Sequence, residues 1–300
     1  GSGVFNNTDE KKHKYVLNGK DLVLKDNEYM PDLMHDHMVD FLSNHTKDPF
    51  YLYYSLVHVH GEIKATPDTK PETTDFKELY TDNINYMDKL VGKLIHTLDS
   101  LKLRDNTLIV FSSDNGPVLN DGYYDDSVEK LGSHKPNGPL RGGKYSLLEA
   151  GTRVPFFTYW KGKIKPLVSD ALVCQIDLLE SIAKLVNVDV KSTDSQELLD
   201  VFIGKSAKGR TSLVIEANTK TAFRQGDWMM IPPYPGDPIL EEVNIEMGND
   251  KEFQLYNLKK DIGQKNNLAK DQPKKLKELK ENFELIRGNS YKNVEKIELK

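Results

Sequence analysis

The chain has a single cysteine, Cys174, in 300 residues. That count excludes an intrachain disulfide and a metal site built from thiolates, and it leaves the redox compartment open. Long apolar runs are absent as well: nothing approaches the roughly 18 continuous hydrophobic residues of a membrane-spanning helix, so no membrane partner is expected. Positive charge is not in excess. Lys and Arg number 41 against 46 Asp and Glu, a formal charge of -5 with both signs interspersed. Composition therefore offers no basic face for nucleic acid, which is not expected as a partner. The opening "GSGVFNNTDEKKHK" is polar and carries no signal-peptide pattern, and no internal repeat or low-complexity segment follows. What the chain does have is 38% hydrophobic residues, enough for a real core in one large domain with an appendage or in two modest ones.

Periodicity divides that hydrophobic content into elements. In "MPDLMHDHMVDFLSNHTK", Pro31 can start a helix, and Leu33, Met34, Met38, Phe41 and Leu42 fall at helical spacing, which predicts a helix over about 31–45. "PFYLYYSLVH" is dense in β-formers and predicts a strand over about 49–57. The segment from Thr73 to Leu103 repeats Tyr80, Ile84, Met87, Leu90, Val91, Leu94, Ile95 and Leu98 as one long amphipathic helix. A strand at 107–113 after it completes a βαβ crossover, which predicts strands 49–57 and 107–113 parallel in one sheet. "TRVPFFTYW" and "DLLESIAKL" continue the α/β alternation to about residue 203. Beyond that, "SLVIEA", "TAFRQG", "DWMMIPP" and "FQLYNL" are short strand-like pieces, followed by the helix "DQPKKLKELKENFELI". The expected organisation is an α/β domain over 1–205 and a small α+β domain over 206–300.

Three segments carry chemistry. "TLIVFSSDNGP" delivers Asp114 and Asn115 at the carboxyl end of a strand, where ligand chemistry gathers in parallel α/β sheets. A carboxylate beside a carboxamide offers the hard oxygens that Ca2+ or Mg2+ prefers, although Asp-Asn-Gly is also ordinary turn chemistry. "YYSLVHVHGE" places His58 and His60 two apart, so that both would share one side of an extended chain, in reach of acid/base or anion contacts. "GPLRGGKYSLLEAGTRVPFF" sets Lys144 on a glycine-rich backbone with Arg141 nearby, a loop suited to an oxyanion or simply to a basic surface.

Taken together, "PFYLYYSLVHVH", "DNTLIVFSSDNGP", "PLRGGKYSLLEAGTRVPFFTYWKGKI", "VSDALVCQIDLLESIAKL" and "AFRQGDWMMI" with "FQLYNLKKDIGQKNNLAKDQPKKLKEL" resemble, in this order, the formylglycine-dependent sulfatases of the alkaline phosphatase superfamily. The resemblance implies a mixed sheet between helices with a small α+β domain at the carboxyl end. It implies Asp114 and Asn115 as ligands of Ca2+ or Mg2+, and Lys144 and His60 as contacts to the sulfate and its bridging oxygen. His58, Arg141 and His134 are expected substrate contacts, and a sulfated small molecule or carbohydrate is the expected substrate. Between the two histidines, His60 aligns better, but "HGE" stands where the family has His-x-Pro, and the choice stays open. A periplasmic or secreted setting is likewise what the family suggests.

One departure is large. The family's Cys/Ser-x-Pro-x-Arg nucleophile motif, whose first residue becomes formylglycine, is absent from these 300 residues: "NGPLR" has the Pro and Arg spacing with Asn137 in the nucleophile position, and Cys174 sits in "VCQID". The expectation is a carboxyl-terminal half of a sulfatase, inactive by itself, with the formylglycine and two further metal ligands in a missing amino-terminal half that would be its partner. A non-catalytic fragment or pseudoenzyme is one alternative. A phosphodiesterase or phosphonate hydrolase of the same superfamily is another.

Overall fold

A computed structural model describes residues 14–26, 28–121 and 126–288. The chain is mixed α/β and divides into two compact units, one made of residues 1–107 with 120–134, the other of 108–119 with 135–300. Among the described residues, no helix is long and apolar enough to cross a membrane.

The first unit opens with a hairpin of β1 (Lys14–Leu17) and β2 (Lys20–Val23). Asn18 and Gly19 both have positive φ, the backbone of a type I′ turn, which an Asn-Gly pair adopts with little strain. Helix α1 (Met30–Asn44) carries Pro31 in its first turn, where a fixed φ and a missing N–H are tolerated. Helix α2 (Phe76–Ser100) is capped by Asp75, whose carboxylate accepts from Glu78 N–H at 3.0 Å. Helix α3 (Ser127–Lys130) is a single turn. The predicted strand at 49–57 joins no ladder among the described residues, and Tyr51 and Tyr53 are exposed. Its composition is that of a strand, but a strand exists only with a hydrogen-bonded neighbour.

The core of this unit is aromatic and partly polar. Tyr29, Tyr86 and Leu90 are buried together, with Leu56 and Val57 packed against them. Tyr86 O–H donates to the Asp32 carboxylate at 2.7 Å, tying α2 to α1. His58 packs beside the Tyr29 and Tyr86 rings, which meet edge to face at 5.3 Å, with centroids 5.9 and 5.8 Å away, and its Nε2 is 2.7 Å from Tyr29 Oη.

The second unit carries the remaining elements: β3 (Ile109–Ser112), α4 (Glu149–Thr152), β4 (Phe156–Tyr159), α5 (Leu178–Leu185), α6 (Leu199–Phe202), β5 (Ser212–Ala217), β6 (Lys220–Gln225), β7 (Trp228–Ile231), β8 (Ile239–Leu240), β9 (Ile245–Glu246), β10 (Gln254–Asn257) and α7 (Pro273–Arg287). β3 pairs antiparallel with β4, Ile109 opposite Tyr159 and Ser112 opposite Phe156, and the paired Phe111 and Phe157 rings stack at 4.7 Å. The expected parallel neighbour of β3 is therefore replaced by an antiparallel one, supplied by the "PFFTY" run.

Residues 206–300 hold the four-stranded antiparallel sheet, in order β10-β7-β6-β5. Alternation buries both of its faces. Phe223, Met230 and Leu255 point to α7 and pack on Leu279 and Phe283. Ala222, Met229, Ile231 and Tyr256 point the other way and pack on Leu147 and Leu148. The second face therefore seats the segment that follows Lys144.

The environment of His58 gives the first unit a pH signature. Burial holds its pKa down, from 6.5 to about 4, so the folded protein keeps the ring neutral where the unfolded chain protonates it. Between those values the unfolded state binds more protons, and stability is lost as pH falls from about 6.5 to about 4, by at most about 3 kcal/mol. Urea melts of the native chain and of His58→Gln at pH 7 and pH 4.5 measure this. The variant should lose clearly less stability than the native chain over that interval, and parallel losses would remove His58 as a source of the slope.

Candidate active site

The second unit holds Asp114, Asn115 and Lys144. β3 ends at Ser112, and the next residues turn sharply. Ser113 Oγ–H donates to the Asn115 carbonyl at 3.1 Å and lies 3.5 Å from Asp114 Oδ1, while Asn115 Nδ2–H donates to the Gly116 carbonyl at 2.9 Å. Asp114 stays exposed. Gln175, at the entry to α5, reaches back to this strand end, its Nε2 donating to Ser112 Oγ and to the Ser113 carbonyl, both at 2.7 Å. Nothing in the sequence around "VCQID" marks Gln175 for this contact.

The lysine loop is fastened directly to the turn. Lys144 N–H donates to the Pro117 carbonyl at 3.0 Å, and Gly116 N–H donates to the Gly151 carbonyl at 2.9 Å. These bonds bring backbone against backbone. A Cβ on Gly116 would stand 1.6 Å from the Ala150 carbonyl oxygen, and one on Gly143 would stand 2.5 Å from that of Pro117. The glycines of "DNGP" and "RGGK" are thus required by close approach. Lys144 Nζ lies 5.2 Å from the centre of the Tyr145 ring.

From the other side the loop is held by the carboxyl-terminal residues. Leu147 N–H donates to the Met247 carbonyl at 3.1 Å, Ser146 Oγ–H to that of Glu246 at 2.6 Å, and Glu149 N–H to Gln264 Oε1 at 2.8 Å. Arg141 acts in the same clamp. Its guanidinium donates to both Glu246 oxygens, at 2.6 and 3.3 Å, and to the Gln264 carbonyl at 2.7 Å. The bond to Glu246 pushes its pKa above the ordinary value. Glu149 is buried and faces two cations, Arg153 at 3.1 Å and Arg224 at 3.6 Å.

The first unit holds His58, His60 and His134. His58 is 7% exposed and belongs to the Tyr29–Tyr86 core. The His60 side chain is 43% exposed, with Nε2 3.5 Å from Asp121 Oδ2 and Nδ1 2.8 Å from the Gly61 carbonyl. His134 is exposed beside the Tyr80 ring, 5.8 Å between centroids.

For a divalent cation, the donor chemistry of Asp114 and Asn115 fits but is incomplete. A carboxylate and a carboxamide oxygen at consecutive positions are hard ligands, yet Ca2+ takes about six to eight. No group of three or more His, Cys, Asp or Glu among the described residues could hold a metal ion.

The comparisons agree with the motifs. The Sulfatase family model matches residues 3–188, and the chain belongs to that family. It is 38% identical over 277 residues, 91% of its length, to an N-acetylgalactosamine-6-O-sulfatase of Bacteroides thetaiotaomicron, of which the match covers 54%. It is 28% identical over 186 residues, 61% of its length, to an arylsulfatase of Hemicentrotus pulcherrimus, of which the match covers 32%. A solved structure from work on the metabolism of multiple glycosaminoglycans by Bacteroides thetaiotaomicron superposes with a TM-score of 0.82 at 34% identity, over 93% of this chain and 62% of that one. The chain thus spans about half the length of the first of these relatives.

The turn-to-loop contact has a direct test. Gly116→Ala should cost about 3 kcal/mol or more, since its methyl can enter only by moving backbone. Gly92→Ala is the contrast: Gly92 is exposed in α2, its added Cβ would meet nothing within 4 Å, and the change should stabilise by about 0.5–1 kcal/mol. Denaturant unfolding followed by circular dichroism compares the two. Gly116→Ala behaving like Gly92→Ala would mean that the turn and the loop are not packed as described.

Proposed function

We propose that this chain supplies the charge-stabilising and proton-donating groups of a sulfatase acting on a sulfated carbohydrate. The hydrogen bond from Lys144 N–H to the Pro117 carbonyl carries this reading. It fixes an ammonium-bearing loop to the turn that presents Asp114 and Asn115. The likeness to an N-acetylgalactosamine-6-O-sulfatase along 91% of the chain makes a 6-sulfated amino sugar the first substrate class to test.

Each residue has a chemical task. Displacement at sulfur loads negative charge onto the sulfate oxygens and the departing alcohol oxygen, and groups that meet that charge lower the barrier. Lys144 is assigned to the sulfate oxygens. Asp114 and Asn115 would hold Ca2+ or Mg2+, which supplies further positive charge when bound. His60 is assigned to protonate the departing oxygen, supported by the exposure of its ring where His58 is buried and already bonded to Tyr29. Arg141 is read as holding the loop through Glu246 and Gln264, and His134 as an outer contact to the sugar.

The chain contains no Cys/Ser-x-Pro-x-Arg segment, and charge-stabilising groups do not replace a covalent nucleophile. The 300 residues alone should therefore turn over no sulfate ester, whereas the enzyme completed by a formylglycine-bearing amino-terminal half should. In that completed enzyme, Lys144→Ala should lower kcat by about 100-fold or more. His60→Ala should lose at least about tenfold more activity on N-acetylgalactosamine 6-sulfate than on nitrophenyl sulfate, whose leaving group needs little proton donation. Turnover by the isolated chain, or equal losses on the two substrates, would contradict these assignments.

A further inference from the structure

We propose that Asp121 is a positioning residue for His60, so that the two serve proton donation as one unit. The inference rests on the role given to His60 above and adds a residue from a distant part of the sequence. Both residues belong to the first compact unit.

The geometry around the ring carries the argument. His60 Nδ1 is 2.8 Å from the Gly61 carbonyl. A carbonyl only accepts, so this hydrogen bond requires the ring proton on Nδ1. The neutral ring then presents Nε2 as an acceptor, and what Nε2 faces, at 3.5 Å, is a carboxylate oxygen. Two acceptors oppose one another unless a proton stands on Nε2. With that proton, Nδ1–H is held by the Gly61 carbonyl, and Nε2–H, the proton assigned to the departing oxygen, is steered by a loose contact to Asp121 that the departing oxygen can replace. Exposure is divided in keeping with this: the Asp121 side chain is 16% exposed and the His60 side chain 43%, so the anchor is the more enclosed partner and the donor the more open one. At 3.5 Å the contact, an ion pair only when the ring is protonated, is longer than a good hydrogen bond. It orients the ring without occupying Nε2 as tightly as a short bond would.

A plain surface ion pair is the competing explanation, worth about 0–1 kcal/mol of stability and nothing specific to leaving groups. The experiment separates the two in the completed enzyme, using N-acetylgalactosamine 6-sulfate and nitrophenyl sulfate. Asp121→Asn should lower kcat on the sugar sulfate at least about tenfold more than on nitrophenyl sulfate, with KM little changed. Asp121→Glu should restore part of that difference. The double variant His60→Ala with Asp121→Asn should be no slower than His60→Ala alone, because a positioning residue has nothing left to position. In the isolated chain, Asp121→Asn should move the ring nitrogen resonances of His60 while the other histidines keep theirs, a readout that needs no activity.

Equal losses on the two substrates from Asp121→Asn, full additivity with His60→Ala, or an unmoved His60 spectrum would overturn the proposal. If His60→Ala itself shows no preference between leaving groups, the role of His60 falls, and this inference with it. If His60→Ala shows the preference and Asp121→Asn does not, only the inference about Asp121 falls.

Discussion

The chemistry of the second unit depends on a contact between two stretches of bare backbone. Gly116 approaches Ala150 and Gly151 so closely that a single methyl group has no room, and Gly143 does the same against Pro117. Side chains between these segments would hold them apart by several ångströms. Without them, main-chain hydrogen bonds join the turn after β3 to the loop that carries Lys144. A turn alone is a mobile surface feature. Bonded on one side to a strand end and on the other to a buried loop, it becomes a fixed place for charged groups.

The carboxyl-terminal sheet extends that constraint inward. Leu147 and Leu148 directly follow the exposed Tyr145 and the buried Ser146, and they are fully buried against Met229, Ile231 and Tyr256. The opposite face of the same sheet is closed by α7. Lys144 is therefore three residues from an apolar anchor backed by two packed layers, the carboxyl-terminal sheet and α7. The polar seams are equally committed. Asp177, fully buried, accepts from Cys174 N–H, Gln196 N–H and the Arg210 guanidinium, and Glu149 faces Arg153 and Arg224. Such pairs add little net stability over apolar packing, but removing one partner leaves a buried charge uncompensated. They fix the register of the segments they join.

How much of this was legible in the sequence follows from what is local and what is not. Helices 30–44, 76–100 and 273–287 and the strands of the carboxyl-terminal sheet lie close to where periodicity and turn residues put them, because helical spacing, Pro31, Asp75 and the Asn218-Thr219 turn act within a few residues. The hairpin at 14–23 is equally local, since Asn18-Gly19 between β-formers is a strong short-range signal. Strand partners are a different matter. Nothing within "TLIVFSS" says whether its neighbour is the run before the long helix or the one at 156–159, and pairing was decided by contacts that composition does not encode. The same holds in the candidate site. Asp114, Asn115 and Lys144 could be named from their motifs, whereas the attachment of Gln175 to the strand end and of Arg141 to Glu246 arises from residues 63 and 105 positions apart.

The two histidines show why spacing alone could not assign roles. Two apart in a paired strand, His58 and His60 would share one face and one environment. Their segment joins no ladder among the described residues, so alternation imposes nothing, and each ring goes where its own contacts are best. His58 is drawn into the aromatic core, where burial keeps it neutral and Tyr29 holds its Nε2. His60 stays in reach of water with a carboxylate beside it. A neutral, enclosed imidazole serves packing, whereas an open one beside a carboxylate keeps its ring within reach of solvent and solutes. One residue type thus meets two environments, and what separates them is the loss of strand pairing at a single short run.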